Sequence, residues 1–496
     1  MIIAHDLGTT GNKASLHHPD GRLVDAVTVN YPANFAAGGV AEQDPEDWWN
    51  AVVSATRSLM EKSSKPPSSI SGIVISGQMM GAVLLDADNR PVRPAIIWAD
   101  TRASAQYEQL SRALGEENAY TILGHRLNPT YSIEKVMWVR DNEPDVWARV
   151  RRVCVAKDYV ALRISGRLAT DRSDASGTNA YDQKTGQWSH DVLHAADLPL
   201  DLFPEILESI DVLGGVTEEA ATILGLNAGT PIVMGGGDGP LAAVGAGVVS
   251  PEDGAYVSLG TSSWISFVTD QPVHDPSLRT FTFNNVVPGT FVPTATMQAG
   301  GASIQWFSEV INQDPSSLNT AALIDQANSS VDTEHLFFLP YLLGERSPLW
   351  EPSARGVFVG LGRHHTRTHM MRAVMEGVAY NLLTCLVAFR ESGHPIDSIT
   401  AVSGGAQSDT FLQVLADVWG IPVFRRSIVD EANSLGAAVT GAVGLGLAEF
   451  SAARSLSEIT GEFTPDSSLH ASYQQRYELF TDAIEALVPW FRKAHQ

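Results

Sequence analysis

Cysteine is almost missing from this chain. Its 496 residues include two, Cys154 and Cys385, too few and too far apart for a disulfide framework or a thiolate metal cluster. That scarcity fits a reducing, cytoplasmic setting. Positive charge is also short, with 33 Lys and Arg against 56 Asp and Glu and a formal net charge of −23. Such a surface repels a phosphate backbone, so nucleic-acid binding is not expected. An anionic ligand would have to be captured locally, by backbone N–H groups or a metal ion. No uncharged apolar run reaches the ~18 residues of a spanning helix, so no membrane partner is expected. The N-terminus has an acidic Asp6 and no basic stretch before an apolar run, unlike a secretory signal.

What is present is globular: 44% hydrophobic residues, 18% charged and 42 glycines. At ~100–200 residues per domain, the length predicts at least two domains. The opening reads as strand, turn, strand, with "PDGR" at 19–22 as a turn before "LVDAVTV". Residues 43–62 predict a helix with Asp44 as N-cap, Pro45 at its first position, and Trp48, Val52, Ala55 and Leu59 at helical spacing. Residues 70–77 read as a strand, 82–100 as two more, and about 102–165 as mostly helical. The segment "TPIVMGGGDGP" (230–240) reads as a strand with Asp238 at its end. Strands alternating with helices give an α/β class.

The second half restarts the plan. Leu7-Gly8-Thr9-Thr10 in "IIAHDLGTTGNK" is echoed by Leu259-Gly260-Thr261-Ser262 in "AYVSLGTSSW". Residues 399–420 then read as strand, Gly-rich turn and helix, and 431–446 as a small-residue helix. The boundary falls near residue 248, giving domains 1–247 and 248–496 about a shared cleft.

Each echoed turn can present backbone N–H groups, with hydroxyls as added donors, to anionic oxygens. Neither is a Walker A loop or a Rossmann fingerprint. Asp6 can hold a divalent cation through water, and Lys13 adds positive charge. Asp238, in its run of glycines, can accept a proton from a hydroxyl attacking phosphorus, though a plain Gly-Asp turn reads the same way. In "SGGAQSD" (403–409), Gly404 and Gly405 would let a flat ring approach the backbone, or simply open a helix.

Taken in order, these motifs resemble the FGGY family of carbohydrate kinases, within the sugar kinase, actin and heat-shock-chaperone ATPase superfamily. The similarity runs nearly end to end. "DLGTTGNK" and "SLGTSSW" resemble the two phosphate motifs and "VSGGAQSD" the adenosine motif. "GVFVGLGRHHTRTHMMRAVMEG" (356–377) and "TYSIEKVMWVRDN" (130–142) resemble the two family signatures. "EQDPEDWW", "RPAIIWADTR" and "FLPYLLGERSP" are most similar to the xylulokinase branch.

The resemblance implies two ribonuclease-H-like domains, an actin-like ATPase fold, flanking a central cleft. It implies ATP and Mg²⁺ as cofactors, a ketopentose such as D-xylulose as the small-molecule partner and, by analogy alone, a homodimer. Asp238 would be the catalytic base and Asp6 the metal-linked carboxylate. Thr9, Thr10, Lys13, Gly260 and Thr261 would face the phosphates. Gly301 and Gln305 would lie by the nucleotide, and Gly405, Ala406 and Asp409 by the adenosine. The sugar would lie against Met79, Met80 and Asp238, with Asp100 near it unless Asp100 and Arg102 form a structural ion pair. Two positions depart from the branch, which usually has His where Met80 stands and Asn where Gly239 stands. The alternatives are a kinase of another pentulose, deoxy sugar or polyol, and a sugar-independent nucleotide switch.

Overall fold

The computed structural model describes residues 1–311, 319–328, 332–333, 335–427 and 432–494. The opening strands are β1 (Ile2–Leu7), β2 (Gly11–His17) and β3 (Leu23–Asn30), followed by helix α1 (Pro45–Ser63) and β4 (Gly72–Gly77). As its sequence predicts, α1 starts behind Asp44, whose side chain accepts the Glu46 N–H at 2.9 Å. It buries Trp48, Val52, Ala55 and Leu59 against the first sheet. That sheet is completed by β5 (Val212–Gly215) and β6 (Pro231–Gly237), in the order β5-β6-β4-β1-β2-β3. The 102–165 region is mostly helical, interrupted by a loop at 124–131 and a short strand at Arg152–Cys154.

One element differs from its sequence reading. Asp238 does not end a strand: β6 stops at Gly237 and Asp238 opens helix α2 (Asp238–Gly245). Its carboxylate therefore stands at a helix N-terminus.

The second lobe contains β7 (Ala255–Leu259), β8 (Ser263–Phe267), β9 (Phe281–Asn284), β10 (Phe291–Met297) and α3 (Gly301–Ile311). After these come α4 (Arg367–Glu391), β11 (Ile399–Val402), α5 (Asp409–Trp419), β12 (Val423–Arg426), α6 (Ala432–Gly444) and β13 (Ile459–Phe463). Its sheet runs β9-β10-β8-β7-β11-β12-β13. The plan repeats the first lobe's. An antiparallel hairpin, β1-β2 or β7-β8, is followed by two parallel strands, β4 and β6 or β11 and β12, and then an antiparallel edge.

Helices α2 and α6 lie between the sheets. Leu241 and Val244 of α2 and Leu435 and Val439 of α6 pack with Ile2, Ala4, Val74 and Val233 of the first lobe. Ala242, Ala243 and Ala246 of α2 meet Tyr256 and Val402 of the second. The small residues noted in the sequence are what the crossing requires. A Cβ on Gly245 would lie 1.8 Å from the Ala432 carbonyl oxygen, and one on Gly436 would lie 1.9 Å from that of Leu241. Thus α6 belongs by sequence to the second half and packs on the sheet of the first. Among the described residues one helix, α4, is long and apolar enough to cross a membrane, and it is largely buried in the second lobe's core.

Candidate active site

Two cavities meet the strand ends. The larger, about 1170 Å³, lies in the second lobe, and its walls include Gly260, Thr261, Gly301, Gln305, Gly404 and Asp409. The smaller, about 110 Å³, is walled by both lobes: Asp6 from the first, Ser258, Trp264 and Ser403 from the second, and Asn433 and Ser434 from α6.

The larger cavity is shaped by close backbone approach. Gly301 begins α3, donates its N–H to the Gly260 carbonyl at 2.8 Å, and a Cβ there would lie 2.5 Å from that oxygen. Ala302 N–H reaches the Thr261 carbonyl at 3.1 Å. The start of α3 is thereby laced to the turn after β7. Gly405 packs on Leu259, 2.7 Å from a built Cβ to the leucine Cβ, whereas Gly404 faces open space. The open glycine is thus Gly404. Ala406 is fully buried in the 3₁₀ turn Gly404–Gln407 and does not itself line the cavity, whereas Gly404, Gly405 and Gln407 on either side of it do. Asp409 sits at the rim, its Oδ1 accepting from Arg425 at 2.5 Å. Gln305 is exposed and donates to Glu309 at 2.7 Å. Trp306 and Asp325 line the same cavity with no sequence signal of their own, and Gln407 lines it from within the 403–409 motif.

The turn of the first lobe is built differently. Three successive carbonyls are taken by its own lobe: Gly8 by the Tyr31 hydroxyl at 2.5 Å, Thr9 by the Gln43 amide at 2.7 Å, and Thr10 by the Tyr31 N–H at 3.1 Å. The Thr9 hydroxyl accepts from the Trp98 indole at 2.9 Å, and Thr10 is exposed. The turn itself lines neither cavity, contrary to the expectation of two matching cradles. From this lobe Asp6 and, on α2, Ala242 reach the shared cavity. Across the sheet from Asp6 stand Lys13 and Ser76. Enclosure raises the Asp6 proton affinity; Ser76, Lys13 and Asn433 oppose that rise.

Asp238 is held at about 7, chiefly because it is enclosed by protein and then because the Asp6 charge lies close by. Its Oδ1 accepts the Gly239 N–H at 2.8 Å. Gly239 faces open space, so nothing fills the position where the xylulokinase branch usually has Asn.

Met79 and Met80 form an apolar wall with Tyr131, Phe281 and Phe283, the last two from the second lobe. Met79 also abuts Gly237, next to Asp238. Met80 has φ 63°, a left-handed conformation unusual for a side-chain-bearing residue. The buried ammonium of Lys135 explains it, donating to the Met80 carbonyl at 2.6 Å and to that of Thr130. A signature lysine therefore shapes the wall from behind. Gln78, beside it, is tied to Gln43 at 2.8 Å, a link with no sequence signal.

Asp100 does not reach this wall. It is fully buried and both oxygens are occupied, by the Arg102 guanidinium at 2.6 to 3.0 Å and by the N–H groups of Ala41 and Arg102. The substrate contact is corrected to the ion pair. Glu345 is likewise structural, accepting from Gln298, Arg346 and Asn381. His365 and His369 cap local backbone N–H groups, and among the described residues no cluster of three or more metal-ligating side chains occurs.

Two like-folded lobes, a nucleotide-sized cavity in one and a pair of carboxylates at the seam define a two-lobed phosphotransferase of the actin-like ATPase fold. Comparison with known proteins makes this specific. The N-terminal domain model of the FGGY family of carbohydrate kinases matches residues 1–245, and the C-terminal domain model matches 255–445. The chain is 34% identical over 498 residues to the xylulose kinase of Escherichia coli (strain K12), covering 99% of each. It is 27% identical to the gluconokinase of Bacillus subtilis (strain 168), covering 98% of this chain and 96% of the other. A ligand-bound xylulose kinase from Lactobacillus acidophilus superposes with a TM-score of 0.93 at 27% identity, covering 99% of each chain. The chain belongs to the FGGY family of carbohydrate kinases, and so to the sugar kinases that use ATP as phosphate donor.

Proposed function

We propose that this kinase transfers the γ-phosphoryl group of ATP to a hydroxyl of a ketopentose, converting D-xylulose to D-xylulose 5-phosphate in the cytoplasm. The observation that carries the reading is Asp238. It is a carboxylate held near 7 at a helix N-terminus, close to the Asp6 charge and next to Gly239, whose carbonyl is bonded by Tyr256 of the other lobe. A base with that proton affinity matches the task of accepting a proton from a sugar hydroxyl near neutral pH.

The second lobe, with Gly260, Thr261, Gly301, Gln305, Gly405 and Asp409, would hold the nucleotide. The first lobe, with Met79, Met80 and Asp238, would hold the sugar. We take 1–247 and 248–496 as these two sides, with α6 packed across the boundary. In the first-lobe turn the carbonyls of Gly8, Thr9 and Thr10 are already paired, so the N–H side of Thr9 and Thr10 is what remains for a phosphate. Asp6, with Lys13 across from it, suits a hydrated Mg²⁺ held mainly by water and phosphate oxygens, since no protein cage of three ligating side chains stands there among the described residues. That ion would neutralise charge on the transferring phosphoryl group. Asp238 takes the hydroxyl proton, and the enclosed seam keeps water from competing as acceptor.

D-xylulose is favoured by relatives named xylulose kinase at 30–34% identity. A second reading, a less hydroxylated sugar or a polyol, rests on the Met79–Met80 wall and the open space at Gly239. A coupled ADP-release assay across D-xylulose, L-xylulose, D-ribulose, L-ribulose, erythritol and gluconate decides between them. D-xylulose should lead in kcat/KM by at least about ten-fold. A lead by another acceptor selects the second reading, and hydrolysis indifferent to sugar rejects both.

A further inference from the structure

The base proposed above sits between two glycines, Gly237 and Gly239, which give its backbone little stiffness of their own. Each glycine is tied by one side chain. Gly237 N–H donates to the Ser173 hydroxyl at 3.0 Å, and Ser173 donates in turn to Asp171 at 2.5 Å, all fully buried in the first lobe. The Gly239 carbonyl accepts from the Tyr256 hydroxyl at 3.0 Å. Tyr256 belongs to β7, in the sheet of the opposite lobe. Its hydroxyl accepts from the Trp264 indole at 3.0 Å. Trp264 lies on β8, just past the turn at 260–262, and lines the small cavity that Asp6 also enters.

One tether is therefore internal to the lobe that carries Asp238, and the other crosses between the lobes. We propose that Tyr256 is a positioning residue for Asp238. Through Trp264 it couples the phosphate-side hairpin of the second lobe to the turn bearing the base, so the base is fully aligned only with the lobes in this arrangement. Proton acceptance depends on placement to a fraction of an ångström, so a tether lost on one side affects turnover more than binding. The Tyr256 hydroxyl donates to the backbone of Gly239 rather than to the Asp238 carboxylate. The inference rests on Asp238 being the base, and its test separates the two.

Tyr256→Phe removes one hydroxyl and keeps the buried ring. At saturating ATP and D-xylulose, or whichever acceptor the panel selects, kcat should fall about ten-fold while both KM values stay within about two-fold. Trp264→Phe should give a smaller fall of about three-fold, and the double variant should be no slower than Tyr256→Phe, because both act along one path. Thermal melting is measured alongside. A Tyr256→Phe protein that melts lower but turns over at the wild-type rate makes the hydroxyl merely structural and overturns the proposal. So does a loss spread equally over kcat and both KM values, or strict additivity in the double variant. If Tyr256→Phe does not fold, Trp264→Phe decides alone, by its kcat with KM unchanged or by no change. Asp238→Asn is the control. If it is inactive while Tyr256→Phe is unimpaired, only the tether fails; if it is fully active, the base assignment itself fails.

Discussion

Laid side by side, the turn at 8–10 and the turn at 260–262 follow the same hairpin in the same sheet order, yet their surroundings differ. The second-lobe turn opens on a cavity of about 1170 Å³ and is laced to the start of α3 by two backbone hydrogen bonds. The first-lobe turn has its carbonyls fixed by Tyr31 and Gln43 and lines neither of the two cavities described, while the strand before it delivers Asp6 to the seam. Duplication supplied the scaffold twice. The lobes diverged in what they place at the strand end: room for a ligand in one, carboxylates in the other.

The largest test of that division is Asp238→Asn. Removing the carboxylate proposed as the base should lower sugar phosphorylation by about 10³-fold, within the usual range for a general base, with nucleotide affinity changed less than about three-fold. Steady-state kinetics with nucleotide titration measures both. Retained turnover, or nucleotide affinity lost in parallel, breaks the separation of roles. The converse is Gly301→Ala. Its Cβ would lie 2.5 Å from a backbone oxygen that cannot swing away, so the turn must shift. The KM for ATP should rise about ten-fold with the sugar KM nearly unchanged, whereas Gly404→Ala, facing open space, should alter neither by more than about two-fold. Equal effects from the two would mean that close packing is not what shapes the cavity.

A smaller effect sharpens the sugar side. Nothing stands within 4 Å of a Cβ at Gly239, so Gly239→Asn fits without strain and adds a hydrogen-bonding group beside the base. Acceptor preference in the sugar panel should move by about three- to ten-fold, one hydrogen bond's worth, with the KM for ATP constant. The smallest effect is on stability. Asp238 ionises near 7 in the folded chain and near about 4 once unfolded. Its contribution is thus intact below about pH 4 and is lost as pH rises to about 7. Asn cannot ionise, so in metal- and nucleotide-free protein the melting temperature of Asp238→Asn minus that of wild type should climb across that window and then level. A flat difference would show that the seam does not disfavour the charge.

Much of the site could be read without coordinates, for reasons particular residues make clear. Asp44, Pro45 and the apolar positions of α1 follow local rules of capping and period, and each falls where those rules put it. The small-residue helix at 431–446 could be read from composition, but that Gly436 and Gly245 are the points of backbone contact came only with the structure. Asp100 stayed undecided because a carboxylate beside an arginine looks the same in sequence whether the pair is buried or open. Which side Ala406 presents could not be read, because neighbouring residues in a 3₁₀ turn face different ways. The Tyr256 and Ser173 tethers could not be seen at all, since each joins residues far apart in the chain.

The order of residues by itself determined the repeated strand-turn-strand plan, the family and the identity of the lone carboxylate in the glycine run, because periodicity, capping and glycine placement are local properties. Tertiary structure alone decided that α6 crosses to the first sheet, that the turn at 260–262 opens on the cavity of about 1170 Å³, and that Asp238 is enclosed, with Asp6 close by, so that it is held near 7. Those facts depend on enclosure and on charges brought together through space, and such distances exist only once the two lobes have packed against each other.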